Sequence, residues 1–194
     1  MKKYKINEIF YSLQGEGNHT GTAAVFVRFS RCNLKCQFCD TKHQEGQMYT
    51  ADEICQQIAN YPAILVVLTG GEPTLQIDEA LIDALHAHDF FVAIETNGTI
   101  QPPANVDWVT LSPKDMFCEN ATPIITEVDE IKVVFTGEPI NTYDHILAAH
   151  RYIQPCDTGD PYKNAAIIKK AIEYVKNNPK WRLSLQTQKI LNVR

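Results

Sequence analysis

Ala23-Ala24-Val25-Phe26-Val27-Arg28-Phe29-Ser30-Arg31-Cys32-Asn33-Leu34-Lys35-Cys36-Gln37-Phe38-Cys39-Asp40 joins an apolar run to a short loop that carries three cysteines. The run from Ala23 to Phe29 has the length and apolar content of a buried strand. The loop after it spaces its thiols C-x3-C-x2-C. Three thiolates can each ligate one iron of a 4Fe-4S cluster and leave the fourth iron open to a small molecule. An open iron implies chemistry rather than a structural staple. The alternative is a zinc knot, and structural zinc wants a closed tetrahedron. Its fourth ligand would come from His19, His43, Cys118 or Cys156, none of which pairs with another ligand at a familiar metal spacing. The cysteines alone leave both readings open.

Outward from this stretch, similar apolar runs recur at Ile64 to Thr69, Phe90 to Glu95, Trp108 to Ser112, Glu130 to Phe135 and Arg182 to Leu185. Helical patterns lie between several of them, which is the signature of parallel strands with crossovers. Thr50-Ala51-Asp52-Glu53 matches a capping box and opens a helix through about Asn60, which Pro62 stops. A second helix is expected from about Asp78 to His88. Ala165, Ile168, Ile172 and Val175 recur at steps of three or four residues, which predicts a helix from roughly Tyr162 to Asn177 with that stripe in the core. About six βα units fall short of the eight of a closed barrel. The expected fold is therefore α/β, an open partial (βα)6-type barrel in a single domain over 1–194.

A chain of 194 residues suits one domain, and 44% hydrophobic content is ordinary for a globular core. A formal net charge of -5 argues against binding along a phosphate backbone, so nucleic acid is not an expected partner. Met1 to Glu8 stay polar, without an apolar stretch of signal-peptide length, and no run approaches a membrane span. The expected location is the cytoplasm, with no membrane partner. There, six cysteines should be thiols or metal ligands rather than disulfides.

Four further segments sit where strands end. Thr69-Gly70-Gly71-Glu72-Pro73 puts paired glycines at a strand's carboxyl end, where the backbone can approach a ligand closely and where α/β folds place their sites. Glu95-Thr96-Asn97-Gly98, Ser112-Pro113-Lys114 and Gln154-Pro155-Cys156-Asp157 occupy comparable places. Each alone reads equally as a polar strand end or turn.

Taken together, the three-cysteine loop and the downstream Gly-Gly-Glu-Pro resemble the radical S-adenosylmethionine enzymes. In that superfamily the open iron is chelated by the methionyl amine and carboxylate, and electron transfer yields a 5'-deoxyadenosyl radical. The protein supplies binding, orientation and exclusion of side reactions. Ile9-Phe10-Tyr11-Ser12-Leu13-Gln14-Gly15-Glu16-Gly17, Arg28, Asp40-Thr41 and Arg182-Leu183-Ser184-Leu185-Gln186-Thr187 further resemble the 7-carboxy-7-deazaguanine synthases, over nearly the whole chain. The resemblance implies that Cys32, Cys36 and Cys39 hold a 4Fe-4S cluster. It implies that Phe38, Cys39, Asp40, Gly71, Glu95, Ser112, Pro113, Lys114, Gln154, Pro155, Cys156 and Asp157 contact S-adenosyl-L-methionine. Leu13, Gln14, Gly15, Arg28 and Thr69 would contact a pterin substrate, and Thr41 would help hold Mg2+ beside it. Arg28 also has a plain physical rationale, since a guanidinium fork matches a carboxylate bidentately.

The implied reaction contracts 6-carboxy-5,6,7,8-tetrahydropterin to 7-carboxy-7-deazaguanine with loss of ammonia, on the route to 7-deazapurines such as queuosine. An electron donor and a homodimer come with the resemblance. The chain departs from the pattern at Gln188, where a histidine is expected, while Cys55, Cys118 and Cys156 read as incidental. Arg194 ends the sequence near the place where the family sets a carboxyl terminus beside the substrate, and it is not assigned to the site. An activase that makes a glycyl radical on a partner protein would share the cysteine spacing and the glycine motif, but Leu13-Gln14-Gly15 with Arg28 favours a small molecule. A rival of another class is a zinc-stabilised module without catalysis.

Overall fold

The computed structural model describes residues 1–39, 41 and 43–193; Asp40, Lys42 and Arg194 lie outside the described residues. Along the chain come β1 (Tyr4–Leu13), β2 (Ala23–Phe29), β3 (Gln47–Tyr49), α1 (Ala51–Ile58), β4 (Leu65–Gly70), α2 (Glu79–His86), β5 (Phe91–Thr96) and β6 (Trp108–Leu111). They are followed by β7 (Glu127–Phe135), β8 (Leu147–Pro155), α3 (Pro161–Asn177), β9 (Arg182–Leu183) and α4 (Thr187–Leu191). One sheet takes the order β3-β1-β2-β4-β5-β6-β7-β8-β9 and does not close on itself. From β2 to β9 every neighbouring pair is parallel, while β1 and β3 add antiparallel strands at one edge. This is the expected open, partial barrel.

The six expected strands are present, and β2 has the expected bounds. β1, β3 and β8 were not anticipated. β1 alternates buried Tyr4 and Ile6 with less buried neighbours, a period-two signal of a half-buried strand. β8 opens Leu147-Ala148-Ala149-His150-Arg151, a composition with little strand preference, and is held by pairing with β7 instead. Helices occupy only three of the six parallel crossovers; residues 97–107, 112–126 and 136–146 run irregularly. Pro102, Pro103, Pro113, Pro123 and Pro139 fall in those segments, and proline removes a helix donor and clashes with the preceding turn.

The capping box forms as expected: the Glu53 N–H donates to Thr50 Oγ1 at 3.3 Å, and the Thr50 N–H to Glu53 Oε2 at 2.7 Å. Alternation along the strands then separates two environments. Val25, Val27 and Phe29 face outward with Val66, Leu68, Val92 and Ile94, and pack on Ile54 and Ile58 of α1 and Leu81, Ile82 and Leu85 of α2. Ala24, Phe26, Leu65, Val67 and Ala93 turn inward with Phe10 and fill the barrel. The hairpin between β1 and β2 plugs the amino-terminal end, where the His19 ring meets Trp108 edge-on at 4.6 Å.

The α3 stripe requires a correction. Ile168 and Ile172 are 37% and 42% exposed and Ala165 is exposed, whereas Ile167 and Ala171 are buried, with Tyr174 and, of the expected stripe, Val175 partly buried in the same cluster as Trp181. Periodicity locates a stripe without saying which of two adjacent stripes the sheet covers. Ile167→Ala should therefore cost about 2–5 kcal/mol in chemical denaturation, while Ile168→Ala stays within about 0.5 kcal/mol of the parent. The reverse order would restore the stripe read from the sequence.

Candidate active site

The cysteine loop leaves β2 at its carboxyl end and rests on the glycine turn that leaves β4. Arg31 adopts a left-handed backbone, φ 73°, which lets its N–H donate to the His43 carbonyl at 2.6 Å and its own carbonyl accept from the Glu72 N–H at 2.9 Å. A Cβ on Gly71 would lie 1.8 Å from that Arg31 carbonyl oxygen, so only glycine fits. Glu72 is buried, and its carboxylate accepts from the Thr74 N–H and hydroxyl, the Thr96 hydroxyl and the Asn97 N–H at 2.6–3.1 Å. Those bonds hold the turn between β4 and β5 and leave its backbone, not the Glu72 side chain, to meet a ligand. Asn97 also donates to Asn33 Oδ1 at 3.0 Å, tying β5 to the cysteine loop.

Cys32, Cys36 and Cys39 line one cavity of about 390 Å³. Burial, and then the neighbouring Cys118 thiol, push Cys36 up to about 12. Such a thiol becomes a thiolate only against a metal cation. Among the described residues no three His, Cys, Asp or Glu side chains gather around a single point that could hold one ion. Three thiols lining one cavity can each bind one iron of a polynuclear centre, so the donor set fits a 4Fe-4S cluster. The Cys118 Sγ sits 3.5 Å from that of Cys36, and Phe117 meets Phe38 edge-on at 4.9 Å. The loop after β6 thus covers the cysteine loop, an approach across 82 positions that spacing could not reveal.

Beneath this rim lies a charged layer in which sequence reasoning singled out Glu95 but not Lys132 or Glu130. Lys132 on β7 is 3% exposed and reaches Glu16 at 2.6 Å and Glu95 at 2.9 Å. Burial alone would raise the Glu16 carboxyl, but the charge and hydrogen bond of Lys132 outweigh it and bring it to about 2. The two carboxylates conversely hold the Lys132 ammonium above the usual lysine range against its burial. Glu130 has a weaker share of that ammonium and a backbone donor at Asn18, and burial raises it to about 7. The available signal was Glu130 and Lys132 at a step of two in β7, an inward alternation visible once β7 is known to be a barrel strand.

All the proposed substrate positions, Leu13, Gln14, Gly15, Arg28 and Thr69, line the same cavity. Arg28 also reaches Glu8 at 3.1 Å and lies over the Phe10 ring at 5.1 Å. Gln14 donates to Glu95 Oε1 at 3.2 Å. Of the cofactor positions, Phe38, Cys39, Gly71, Glu95, Ser112, Lys114, Gln154, Pro155, Cys156 and Asp157 are on the wall. Pro113 is buried and does not line it. Lys114 is bonded to the Ser112 carbonyl at 2.6 Å and hydroxyl at 2.5 Å, and burial lowers its ammonium from the usual lysine value. Asp157 accepts from Lys189 at 2.8 Å, and that bond, first, with those from Gly159 and Asn164, holds it well below the usual carboxylate range. Thr41 lines the cavity; the Asp40 position, like Arg194, is outside the described residues. Gln188 also reaches the wall and donates to Glu16 at 3.1 Å.

Residues 26–154 match the family model described as the Radical SAM superfamily, and the chain belongs to it. A 7-carboxy-7-deazaguanine synthase of Bacteroides thetaiotaomicron is 53% identical over 190 residues, covering 98% of each chain. One of Haemophilus influenzae is 32% identical over 98% of this chain and 94% of the relative. The crystal structure of QueE from Escherichia coli matches with a TM-score of 0.74 at 27% identity, over 94% of this chain and 93% of that one. Within the superfamily, the chain belongs to the 7-carboxy-7-deazaguanine synthase family.

Because Cys32, Cys36 and Cys39 are the thiols on the rim, replacing any of them by Ala should abolish a stable 4Fe-4S centre. Cys55→Ala, Cys118→Ala and Cys156→Ala should keep it. Iron per chain and visible absorbance after anaerobic reconstitution decide this, and full iron in Cys36→Ala would sink the assignment.

Proposed function

We propose that this chain contracts the ring of 6-carboxy-5,6,7,8-tetrahydropterin to 7-carboxy-7-deazaguanine with release of ammonia. The carrying observation is one cavity with three thiols and a glycine turn on its rim and Arg28, Gln14 and Gly15 on its wall, in a chain 53% identical to a synthase end to end. When bound, the cluster supplies the electron that converts S-adenosyl-L-methionine into a 5'-deoxyadenosyl radical. The remaining work belongs to the chain. The Gly70–Gly71 backbone admits the methionyl part to close approach, with Phe38, Cys39, Glu95, Ser112, Lys114 and Gln154 to Asp157 around the rest of that cofactor. Leu13, Gln14, Gly15 and Thr69 seat the pterin, and Arg28 presents its fork to the substrate carboxylate while Glu8 keeps the guanidinium aimed. The apolar layer of Phe10, Phe26 and Val67 below the cavity excludes water from one side, which strengthens each of those polar contacts.

The same reading carries an external electron donor, a homodimer, a cytoplasmic location and Mg2+ held by the Thr41 hydroxyl together with substrate oxygens. A hard ion that keeps waters needs few protein ligands, which supports a single threonine as anchor. Among the described residues no helix is long and apolar enough to cross a membrane. Nothing in the fold or the relatives favours the activase or the zinc-module reading. The direct test is anaerobic reconstitution followed by an assay for the deazaguanine; cofactor cleavage without that product would refute the reaction.

Two variants refine it. Arg28→Ala should keep its iron but raise the Michaelis constant for the carboxytetrahydropterin roughly tenfold to a hundredfold, the worth of a charged hydrogen-bond pair. Arg28→Lys should recover only part of that, because a point charge lacks the fork; an unchanged constant in Arg28→Ala would remove it from the site. Magnesium should stimulate turnover of the parent, and Thr41→Ala should retain its cluster and lose most of that stimulation. An equal response to magnesium and chelator in both proteins would show that Thr41 is not the ligand.

A further inference from the structure

We propose that Lys132 is a positioning residue that sets the separation of the two walls of the cavity, one ammonium holding Glu16 on the pterin side and Glu95 on the cofactor side. This rests on the functional reading above and adds to it a residue that neither the motifs nor the resemblance assigns. Glu16 belongs to the hairpin that crosses the open side of the sheet, and it carries a second set of partners on its Oε1, the Gln186 and Gln188 amides at 2.9 and 3.1 Å. Glu95 ends β5, directly before Thr96 and Asn97, which clamp Glu72 of the glycine turn. Its other oxygen accepts from Gln14. The two carboxylates belong to different segments, the hairpin and β5, which the Gln14–Glu95 bond also joins, and Lys132 is their shared counter-charge at 2.6 and 2.9 Å.

The physical case is one of frustrated charge. Two carboxylates and a third, Glu130, surround one lysine that is 3% exposed. Without the ammonium, the half-buried Glu16 and Glu95 repel across a partly desolvated wall, and of these contacts only the Gln14–Glu95 bond is left to join hairpin and β5 there. β7 is paired on both edges, to β6 and β8, so Lys132 projects from a doubly paired strand toward the hairpin and the carboxyl-terminal end of β5. A group so placed transmits position rather than chemistry. Reacting groups misplaced by about 1 Å can lose roughly a hundredfold in rate, and in a radical enzyme the loss takes a distinctive form: the cofactor is cleaved, but its radical no longer reaches the substrate hydrogen.

The test compares the reconstituted parent with Lys132→Met, Lys132→Arg and the double variant Lys132→Met/Glu16→Gln, which removes one of the two carboxylates that Lys132 bridges and so lessens the charge left unpaired. Iron per chain, the dissociation constant of the carboxytetrahydropterin in unreduced enzyme, and the ratio of deazaguanine to 5'-deoxyadenosine after reduction are measured for each. Lys132→Met and the double variant should keep parental iron, weaken pterin binding about tenfold or more and lower the product ratio at least tenfold. Lys132→Arg, which can still bridge two carboxylates, should return both within about threefold. A parental ratio and affinity in Lys132→Met overturns the proposal. So does joint loss of iron and pterin binding in both methionine variants, which marks a purely structural lysine. A parent that binds no pterin overturns the functional reading and this one with it, whereas a competent parent with unaffected variants overturns this one alone.

Discussion

A single buried carboxylate organises the catalytic end of this barrel. Glu72 takes four donors from two segments, the turn after β4 and the end of β5, and each of those donors would otherwise be left unsatisfied away from water. Its bonds shape the turn after β4, the turn presents Gly71, and Gly71 is the surface on which the Arg31 carbonyl rests. The cysteine loop is thus held in place by a neighbouring strand end rather than by its own few residues. Charge-assisted hydrogen bonds of this kind are roughly twice as strong as neutral ones, which suits a support that must hold a rim steady while ligands enter and leave.

The barrel divides its polarity by level. Phe10, Phe26, Val67 and Ala93 fill its interior toward the plugged end, and the Glu16, Lys132 and Glu95 layer lies between that filling and the rim of thiols. Burial of these ions has a desolvation cost that their mutual pairing offsets only when the geometry is good. The arrangement meets that condition through partners from every side: hairpin, β5, β7 and the segment after β9 all contribute. Arg28 lies apart from this layer, next to Glu8 across the β1–β2 pairing, so the cavity presents a cationic fork on one wall and carboxylates on another. Such polarity suits a ligand that carries a carboxylate at one end and N–H donors at the other.

Much of this was legible in local sequence because the signals are local. The capping box at Thr50 needs only four consecutive residues, the parallel strands need short apolar runs, and the three spaced cysteines lie together on one loop. The family motifs likewise fall at strand ends, where a parallel sheet collects them on one rim. What stayed hidden has a different physical origin. The stripe of α3 was misjudged by one position because adjacent faces of a helix differ in what covers them, not in their periodicity. β8 escaped because its pairing with β7 outweighs a weak intrinsic preference, and Cys118 looked idle because its neighbour Cys36 is distant in the chain.

The sequence by itself determined the chemistry that is possible: three thiols at a spacing that leaves an iron open, glycines that let a backbone approach, an arginine fork beside apolar neighbours. The tertiary structure alone decided which groups share a space. Glu16, Glu95 and Lys132 are far apart in the linear chain and become one charged unit around a buried lysine only when the hairpin, β5 and β7 meet at a common interior. Electrostatic energy depends on separation and on the surrounding medium, and neither is encoded in any short stretch; both are set when the sheet coils and the hairpin closes its open side.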